Sequence, residues 1–217
     1  MTFRTLGEIL DAYKQRDPAA RSSAYILLLY PGVYASMCHD FAHWLYKRNA
    51  QFLARFVSQW SRLWTGIEIH PGATIGRRLV IDHGMGVVIG ETAQLGDDVL
   101  IYQGATLGGT GKDVGKRHPT IGSNVLIGAG AKVLGPINIG DNSRIAAGAV
   151  VLRDVPPDST AVGVPARIVR ISGERPDFAD SLDQVSVEDP VSIELSALRE
   201  QLELLEKKME ALGRENL

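Results

Sequence analysis

Residues 121–151 read IGSNVLIGAGAKVLGPINIGDNSRIAAGAVV, and an aliphatic residue occupies every sixth position of this stretch. The members of that series are Ile121, Ile127, Val133, Ile139, Ile145 and Val151. A helix repeats its buried face about every 3.6 residues and a strand every second residue, so this longer period fits neither. Hexapeptide repeats are typical of a parallel β-helix, and we expect three of them to form each triangular coil.

The same period runs through the part of the chain that precedes this stretch. One series contains Ile69, Ile75, Ile81 and Val87. A second series, two residues out of phase with the first, contains Ile89, Leu95, Ile101 and Leu107. The period is interrupted between Leu107 and Ile121, so residues 108–120 are predicted to leave the coil as a loop.

The segments on either side of the repeats are predicted to be helical. Early apolar residues have helical spacing, and they are Leu6, Ile9, Leu10 and Tyr13. Asp17-Pro18 predicts a helix start, with Asp17 as the N-cap. After the repeats, apolar residues from Val191 to Leu212 alternate in steps of four and three, which is typical of a coiled coil. The alternative is an amphipathic helix that packs on its own subunit.

The predicted fold class is therefore α+β. A helical domain occupies residues 1–64, and a parallel β-helix with the loop 108–120 occupies residues 65–170. A linker at 171–190 leads to the coiled-coil helix at 191–213.

Composition narrows the class of protein. The chain has 217 residues, a net charge of −2 and a single cysteine, Cys38. These values give no general attraction to nucleic acid and exclude an internal disulfide framework. The longest apolar run, Ala24 to Tyr30, has seven residues and is too short to span a membrane. Since no secretory signal is visible at the N-terminus, we expect a cytoplasmic protein that contacts no membrane.

One histidine stands out as a candidate base. His83 follows Asp82 at a predicted corner of the coil, where the alternative is an ordinary solvated histidine. Glu68 lies fifteen residues earlier and could stack near His83, although eighteen residues would be the direct stacking interval. A carboxylate beside an imidazole orients its tautomer and stabilises the charge that it gains as a base.

Basic residues gather late in the repeats and in the loop. They are Lys112, Lys116, Arg117, Lys132, Arg144, Arg153, Arg167 and Arg170. Several cations along one edge of a solenoid could hold the phosphates of coenzyme A. The alternative is ordinary surface charge.

Six segments together resemble the serine O-acetyltransferases, a family of hexapeptide-repeat acyltransferases. The segments are Arg16-Asp17-Pro18-Ala19, Glu68-Ile69-His70-Pro71, Ile81-Asp82-His83-Gly84, Thr106-Leu107-Gly108-Gly109-Thr110-Gly111-Lys112, Arg117-His118-Pro119 and Gly163-Val164-Pro165-Ala166-Arg167. The match runs from about Asp17 to Arg170 and implies a short form with a truncated helical N-terminal domain. It also implies left-handed winding, against the usual right-handed rule for parallel crossovers.

The resemblance implies a role for each candidate residue. His83 would be the general base, with Glu68 at the position of the family's supporting aspartate and His118 beside the reacting groups. Asp17 and Asp82 would hold the serine ammonium. Arg117 and His118 would hold the serine carboxylate. The residues implied to contact acetyl-CoA are Gly109, Ala129, Arg144, Ala147 and Arg167, and no metal is expected.

The reaction implied is transfer of an acetyl group from acetyl-CoA to the L-serine hydroxyl, the first step of cysteine biosynthesis from serine. The resemblance further implies a homotrimer formed through the β-helix and the C-terminal coiled coil. It implies feedback inhibition by L-cysteine and a partnership of the C-terminal tail with cysteine synthase (O-acetylserine sulfhydrylase).

Three alternatives stay open at this point. One is a hexapeptide acetyltransferase for another small acceptor, such as a sugar, although Asp17, Asp82 and Arg117 favour a zwitterion. Another is a zinc carbonic-anhydrase-like trimer, for which His70, His83 and His118 would be the ligands. The third is a trimeric scaffold without enzymatic activity.

Overall fold

The computed structural model describes residues 5–111, 115–171, 199 and 201–202. Within these residues, helices precede a long series of short strands, as the sequence predicts. The helices are α1 (Leu6–Arg16), α2 (Ser23–Leu29), α3 (Pro31–Lys47) and α4 (Gln51–Thr65).

The predicted helix start at Asp17 is wrong. Asp17 is the C-cap of α1, and α2 begins later, with the Ser22 hydroxyl accepting a hydrogen bond from the N–H of Tyr25. The reason is local, since a residue that precedes proline is disfavoured in the helical region and helices tend to end there. The Asp17 side chain instead accepts from the N–H of Ala19 at 2.7 Å.

The strands are β1 (Glu68–Ile69), β2 (Thr74–Ile75), β3 (Val80–Asp82), β4 (Val88–Ile89), β5 (Gln94–Leu95), β6 (Leu100–Tyr102), β7 (Thr106–Gly108), β8 (Thr120–Ile121), β9 (Leu126–Ile127), β10 (Lys132–Leu134), β11 (Asn138–Ile139), β12 (Arg144–Ile145), β13 (Val150–Val151), β14 (Ser159–Val162) and β15 (Arg167–Ile171). They form three sheets. Face A has the order β1-β4-β7-β10-β13, face B has β2-β5-β8-β11, and face C has β3-β6-β9-β12-β14-β15.

Each strand from β1 to β10 pairs in parallel with the strand three places later in the chain. Strand β12 pairs in parallel with β14, and β14 and β15 are antiparallel. This pattern confirms the predicted parallel β-helix.

Two edges of the β-helix carry the candidate site residues. We call residues 83–87, 103–105, 128–131 and 146–149, which connect face C to face A, the C–A corner. Residues 70–73, 90–93, 109–119 and 135–137, which connect face A to face B, are the A–B corner.

The periodic aliphatic residues fill the inside of the coil. Along face A, Ile69, Ile89, Leu107, Val133 and Val151 stack in register and are all buried. Burial of such side chains contributes roughly 1.5–3 kcal/mol each, so the stacked column is a main source of stability. Among the predicted periodic positions, Ile75 is only partly buried.

Helices α1, α2 and α3 cover the outside of face C, and α4 contacts β1 at the start of face A. Ile9, Tyr13 and Val33 pack against Val80 and Leu100, which point outward from that face. Tyr13 is fully buried, and its hydroxyl lies 3.1 Å from both the N and the O of Ile81. Helices α1 and α3 are thereby fixed to the strand that leads into the C–A corner. Among the described residues, the structure contains no helix that is both long and apolar enough to cross a membrane.

The predicted loop leaves the coil where expected, between Gly108 at the end of β7 and Thr120 at the start of β8. The linker at 171–190 and most of the predicted coiled coil at 191–213 lie outside the described residues. Arg199, Gln201 and Leu202 are described and are helical. The coiled coil and the left-handed winding stay predictions.

Candidate active site

The candidate base, His83, lies on a two-residue insertion in the C–A corner. Ile81 pairs with Ile101, twenty residues later, whereas Ile127 of the regular coils pairs with Ile145, eighteen residues later. The extra length falls between β3 and β4, where His83 and Gly84 both have positive φ, of 57° and 76°. The side chain of His83 is 75% exposed as a result. The insertion therefore lifts the imidazole out of the regular coil.

Gly84 is needed for this conformation. Besides its positive φ, a Cβ at Gly84 would lie 2.5 Å from Cδ1 of Ile67. A side chain at this position would therefore be strained and would collide with the core. The corner that presents His83 is held in place by the packing beneath it.

Two carboxylates lie at the same corner. The Nε2 atom of His83 is 4.0 Å from Oδ1 of Asp82, which is longer than a hydrogen bond. Burial raises the pKa of the Asp82 carboxyl, the charge of Asp17 raises it further, and His83 opposes both effects. Asp17 is therefore close enough to interact with Asp82, although helices α2 to α4 and strands β1 and β2 separate them along the chain. The structure brings together Asp17, Asp82 and His83.

Tyr30 holds the Asp17 side chain in this cluster. Its hydroxyl donates a short hydrogen bond to Oδ2 of Asp17. Burial raises the pKa of the Tyr30 phenol, and the hydrogen bond to Asp17 raises it further. The phenol thus stays protonated and remains a donor to the carboxylate at physiological pH.

Glu68 has other partners in the single chain. Its carboxylate lies 3.0 Å from Nη1 of Arg62 and 3.8 Å from Nη2 of Arg55, both on α4. Of the contacts described for these side chains, none joins Glu68 to His83. Guanidinium groups are permanently charged, so they attract the carboxylate more strongly than a neutral imidazole does.

The second group of candidates lies at the A–B corner. Nη2 of Arg117 is 2.6 Å from Oε2 of Glu91, and the Tyr46 hydroxyl donates to Oε1 of Glu91 at 3.2 Å. His118 is buried next to Arg117, and its Nδ1 lies 2.9 Å from the hydroxyl of Thr92. These side chains form a hydrogen-bonded cluster at the point where the loop returns to the coil.

The two groups occupy different edges of face A in one chain. The C–A corner carries His83, and the A–B corner carries Arg117 and His118. Face A lies between them, which separates the groups by roughly 15–20 Å at about 3.3 Å per extended residue. A ligand as small as an amino acid cannot contact both groups of the same chain.

The predicted acetyl-CoA residues are divided between the same edges. Ala129 and Ala147 lie on the C–A corner in consecutive coils, where the O of Ala129 accepts from the N–H of Gly148. Gly109 lies on the A–B corner, at the start of the loop. Arg144 is on β12 and Arg167 on β15, so both are on face C.

Comparison with known proteins places the chain in a family. The family model described as "Bacterial transferase hexapeptide (six repeats)" matches residues 118–153. A serine acetyltransferase from Synechococcus elongatus is 54% identical over 211 residues, which covers 97% of this chain and 85% of that protein. One from Bacillus subtilis is 53% identical over 210 residues, covering 97% and 96%. The chain belongs to the serine acetyltransferase family.

Solved structures of serine acetyltransferases share the fold. The Neisseria gonorrhoeae enzyme in complex with serine has a TM-score of 0.73 and 45% identity, over 76% of this chain and 67% of that one. The Brucella abortus enzyme in complex with coenzyme A has a TM-score of 0.76 and 46% identity, over 77% and 67%. A serine acetyltransferase in complex with cysteine has a TM-score of 0.80 and 40% identity, over 84% and 70%.

The three histidines considered as zinc ligands are not gathered in one chain. His70 and His118 lie on the A–B corner and His83 on the C–A corner. The part of the chain that the structure describes holds no group of three or more side chains suited to binding a metal ion. Burial lowers the pKa of the His70 imidazole, and nearby Arg55 lowers it further.

Several side chains of the candidate site are not marked by any pattern in the sequence. Tyr30 and Thr92 belong to no repeat or motif that marks them, and each acts on a partner far away in sequence. The insertion, in contrast, has a signal. The shift of phase between Val87 and Ile89 marks the corner at which the coil takes up two extra residues.

Proposed function

We propose that the protein transfers the acetyl group of acetyl-CoA to the hydroxyl of L-serine, giving O-acetylserine and coenzyme A, at a site shared by two subunits of a homotrimer. The observation that carries this proposal is the cluster of Asp17, Asp82 and His83. It combines two carboxylates, suited to an ammonium group, with an exposed imidazole suited to remove a proton from a nearby hydroxyl.

The proposed serine position follows from the charges. Asp17 and Asp82 bind the ammonium group, and the Arg117 guanidinium of the neighbouring subunit binds the carboxylate through parallel hydrogen bonds. Pairing at both ends places the serine hydroxyl beside His83. Such positioning can remove roughly 7–11 kcal/mol from the barrier of a bimolecular reaction.

The proposed chemistry is direct transfer. His83 accepts the hydroxyl proton as the serine oxygen attacks the thioester carbonyl, and a new C–O bond forms. The tetrahedral intermediate then collapses with cleavage of the C–S bond, and the imidazolium returns the proton to the leaving thiolate. General-base assistance of this kind contributes about 10²–10⁴-fold.

The acetyl-CoA position is proposed along the C–A corner. Ala129 and Ala147 continue, in later coils, the edge on which His83 lies, so backbone groups there can contact the extended co-substrate. Arg144 and Arg167 offer cations for its phosphates, and Gly109 of the neighbouring subunit completes the contact. The coenzyme A complex of the Brucella abortus relative supports this co-substrate.

The homotrimer is proposed because the two groups of candidates cannot meet in one chain. A second subunit that brings its A–B corner to the first subunit's C–A corner would complete the site. Helix α4 also leaves a stripe of aromatic side chains exposed in the single chain, at Phe52, Phe56, Trp60 and Trp64. An apolar stripe of that extent is typical of an interaction surface.

Glu68 stays a proposed support for His83. This role requires the Glu68 carboxylate to leave Arg62 and Arg55 when the subunits assemble. Until it does so, Asp82 is the carboxylate beside the imidazole, at 4.0 Å.

Regulation and partners remain predictions. The cysteine complex of a serine acetyltransferase supports L-cysteine as an inhibitor that competes for the same charged groups. The partnership with cysteine synthase depends on the C-terminal tail, which lies outside the described residues. The cytoplasmic location is expected from the absence of a visible secretory signal in the sequence, and the place in cysteine biosynthesis rests on the family resemblance.

A panel of acceptors tests the substrate. The purified protein is incubated with acetyl-CoA and L-serine, L-homoserine, O-phosphoserine or a small sugar, and release of free thiol is followed. We expect serine to be the best acceptor by kcat/KM, because its two charged ends fit Asp17, Asp82 and Arg117. Turnover of a sugar with none of serine would contradict the proposed zwitterion site.

A further inference from the structure

The hydroxyl of Thr92 is the centre of a hydrogen-bond network at the A–B corner. Its Oγ1 accepts from the N–H of Arg117 at 3.0 Å and from the N–H of His118 at 3.1 Å. The same oxygen lies 2.9 Å from Nδ1 of His118. Since both lone pairs of the hydroxyl are used by N–H donors, its proton is available for Nδ1.

The backbone settles the direction of the bond to the ring. The N–H of Thr92 donates to Nδ1 of His118 at 3.1 Å, and a backbone N–H can only donate. Nδ1 must therefore be an acceptor without a proton. A neutral imidazole then carries its proton on Nε2.

The surroundings favour that neutral form. The ring of His118 packs on Gly90 so closely that a Cβ there would lie 2.1 Å from Nε2. Burial lowers the pKa of the His118 imidazole, and the positive charges of Arg117 and Lys116 lower it further, against an opposing effect of Glu91. The Lys116 Nζ also donates to the O of Thr92 at 2.8 Å, so the loop is attached to the same residue a second time.

We propose that Thr92 is a positioning residue that holds the Arg117-His118 segment at the A–B corner and fixes His118 as the tautomer with its proton on Nε2. In this state His118 is a hydrogen-bond donor and cannot take a proton at Nε2. The two histidines of the site then have separate roles, with His83 as the base and His118 as a donor to the serine carboxylate. That assignment of roles rests on the proposed function, whereas the tautomer does not.

The tautomer is measured on the wild-type protein by nitrogen NMR with labelled histidine. We expect His118 to show an unprotonated Nδ1 and a protonated Nε2 at neutral pH. A protonated Nδ1 would overturn the proposal. This measurement needs no turnover, so it gives its answer even if serine proves not to be the acceptor.

The positioning role is tested with Thr92→Val and Thr92→Ser. Valine has a similar shape but removes the acceptor for two N–H groups. Loss of these bonds is expected to raise the serine KM roughly tenfold, with kcat and the acetyl-CoA KM near wild-type values. Serine retains the hydroxyl, so Thr92→Ser should restore the serine KM.

Thr74→Val is the matched control. Thr74 is an exposed threonine on β2 that lines the same cavity as Thr92 but makes none of these hydrogen bonds, so its replacement should leave both KM values unchanged. Thermal unfolding of all three variants separates local positioning from a general loss of stability. A Thr92→Val protein with a wild-type serine KM would overturn the positioning role.

Discussion

Replacing His83 with alanine lowers kcat for serine acetylation by about 10²–10⁴-fold, because the proton of the attacking hydroxyl loses its acceptor. The serine KM should change little, since Asp17, Asp82 and Arg117 still bind the charged ends of the substrate. Steady-state kinetics with both substrates varied measures the two effects separately.

The fold should survive this substitution. His83 is exposed and lies on an insertion outside the regular coil, and exposed substitutions of this kind usually change the free energy of unfolding by less than about 0.5 kcal/mol. The apparent melting temperature therefore serves as the control. Turnover close to that of the wild type would remove His83 as the base.

Replacing Arg117 with alanine raises the serine KM, on the order of 10²-fold, with a smaller change in kcat. A charge-assisted pair that loses one partner costs about 2–5 kcal/mol, and each 1.4 kcal/mol is tenfold in affinity. The acetyl-CoA KM should stay near the wild-type value. This pattern separates binding of the carboxylate from the chemical step.

Two further variants make the Arg117 result specific. Arg117→Lys keeps the charge but loses the parallel hydrogen bonds, so its serine KM should lie between those of the wild type and Arg117→Ala. Glu91→Gln removes the negative charge that lies 2.6 Å from Arg117. It tests whether the higher serine KM of Arg117→Ala comes from loss of the Arg117–Glu91 ion pair and not from loss of a contact with serine. If Glu91→Gln alone reproduced the full increase in serine KM, direct contact of Arg117 with the substrate would be contradicted.

The β-helix was predictable because its signal is local and repeated. Each coil buries one aliphatic residue per face, so the period in the sequence directly reports the geometry, as Ile121, Ile127 and Val133 illustrate. The insertion at His83 was also present in the sequence, as a shift of phase by two residues. Because the coil is regular, an insertion in it can be seen in the sequence as a shift of the period.

The contacts that shape the site were not predictable in the same way. The local sequence predicts a helix start at Asp17, but in the structure Asp17 is a C-cap whose carboxylate is held by Tyr30. The family resemblance predicts Glu68 beside His83, but in the single chain α4 supplies two arginines that no periodicity brings near Glu68. These side-chain contacts depend on how the helices pack on the coil, and short-range sequence patterns do not indicate that packing.

Complementation between the two impaired variants tests the shared site most directly. His83→Ala and Arg117→Ala chains, carrying different affinity tags, are coexpressed, and assemblies that contain both tags are purified. If each site combines His83 of one subunit with Arg117 of the next, every mixed trimer has one interface where both residues are intact, and activity with the wild-type serine KM returns. At serine concentrations near the wild-type KM, where both parent variants turn over slowly, mixed trimers with no more activity than the parents would contradict a site built between subunits.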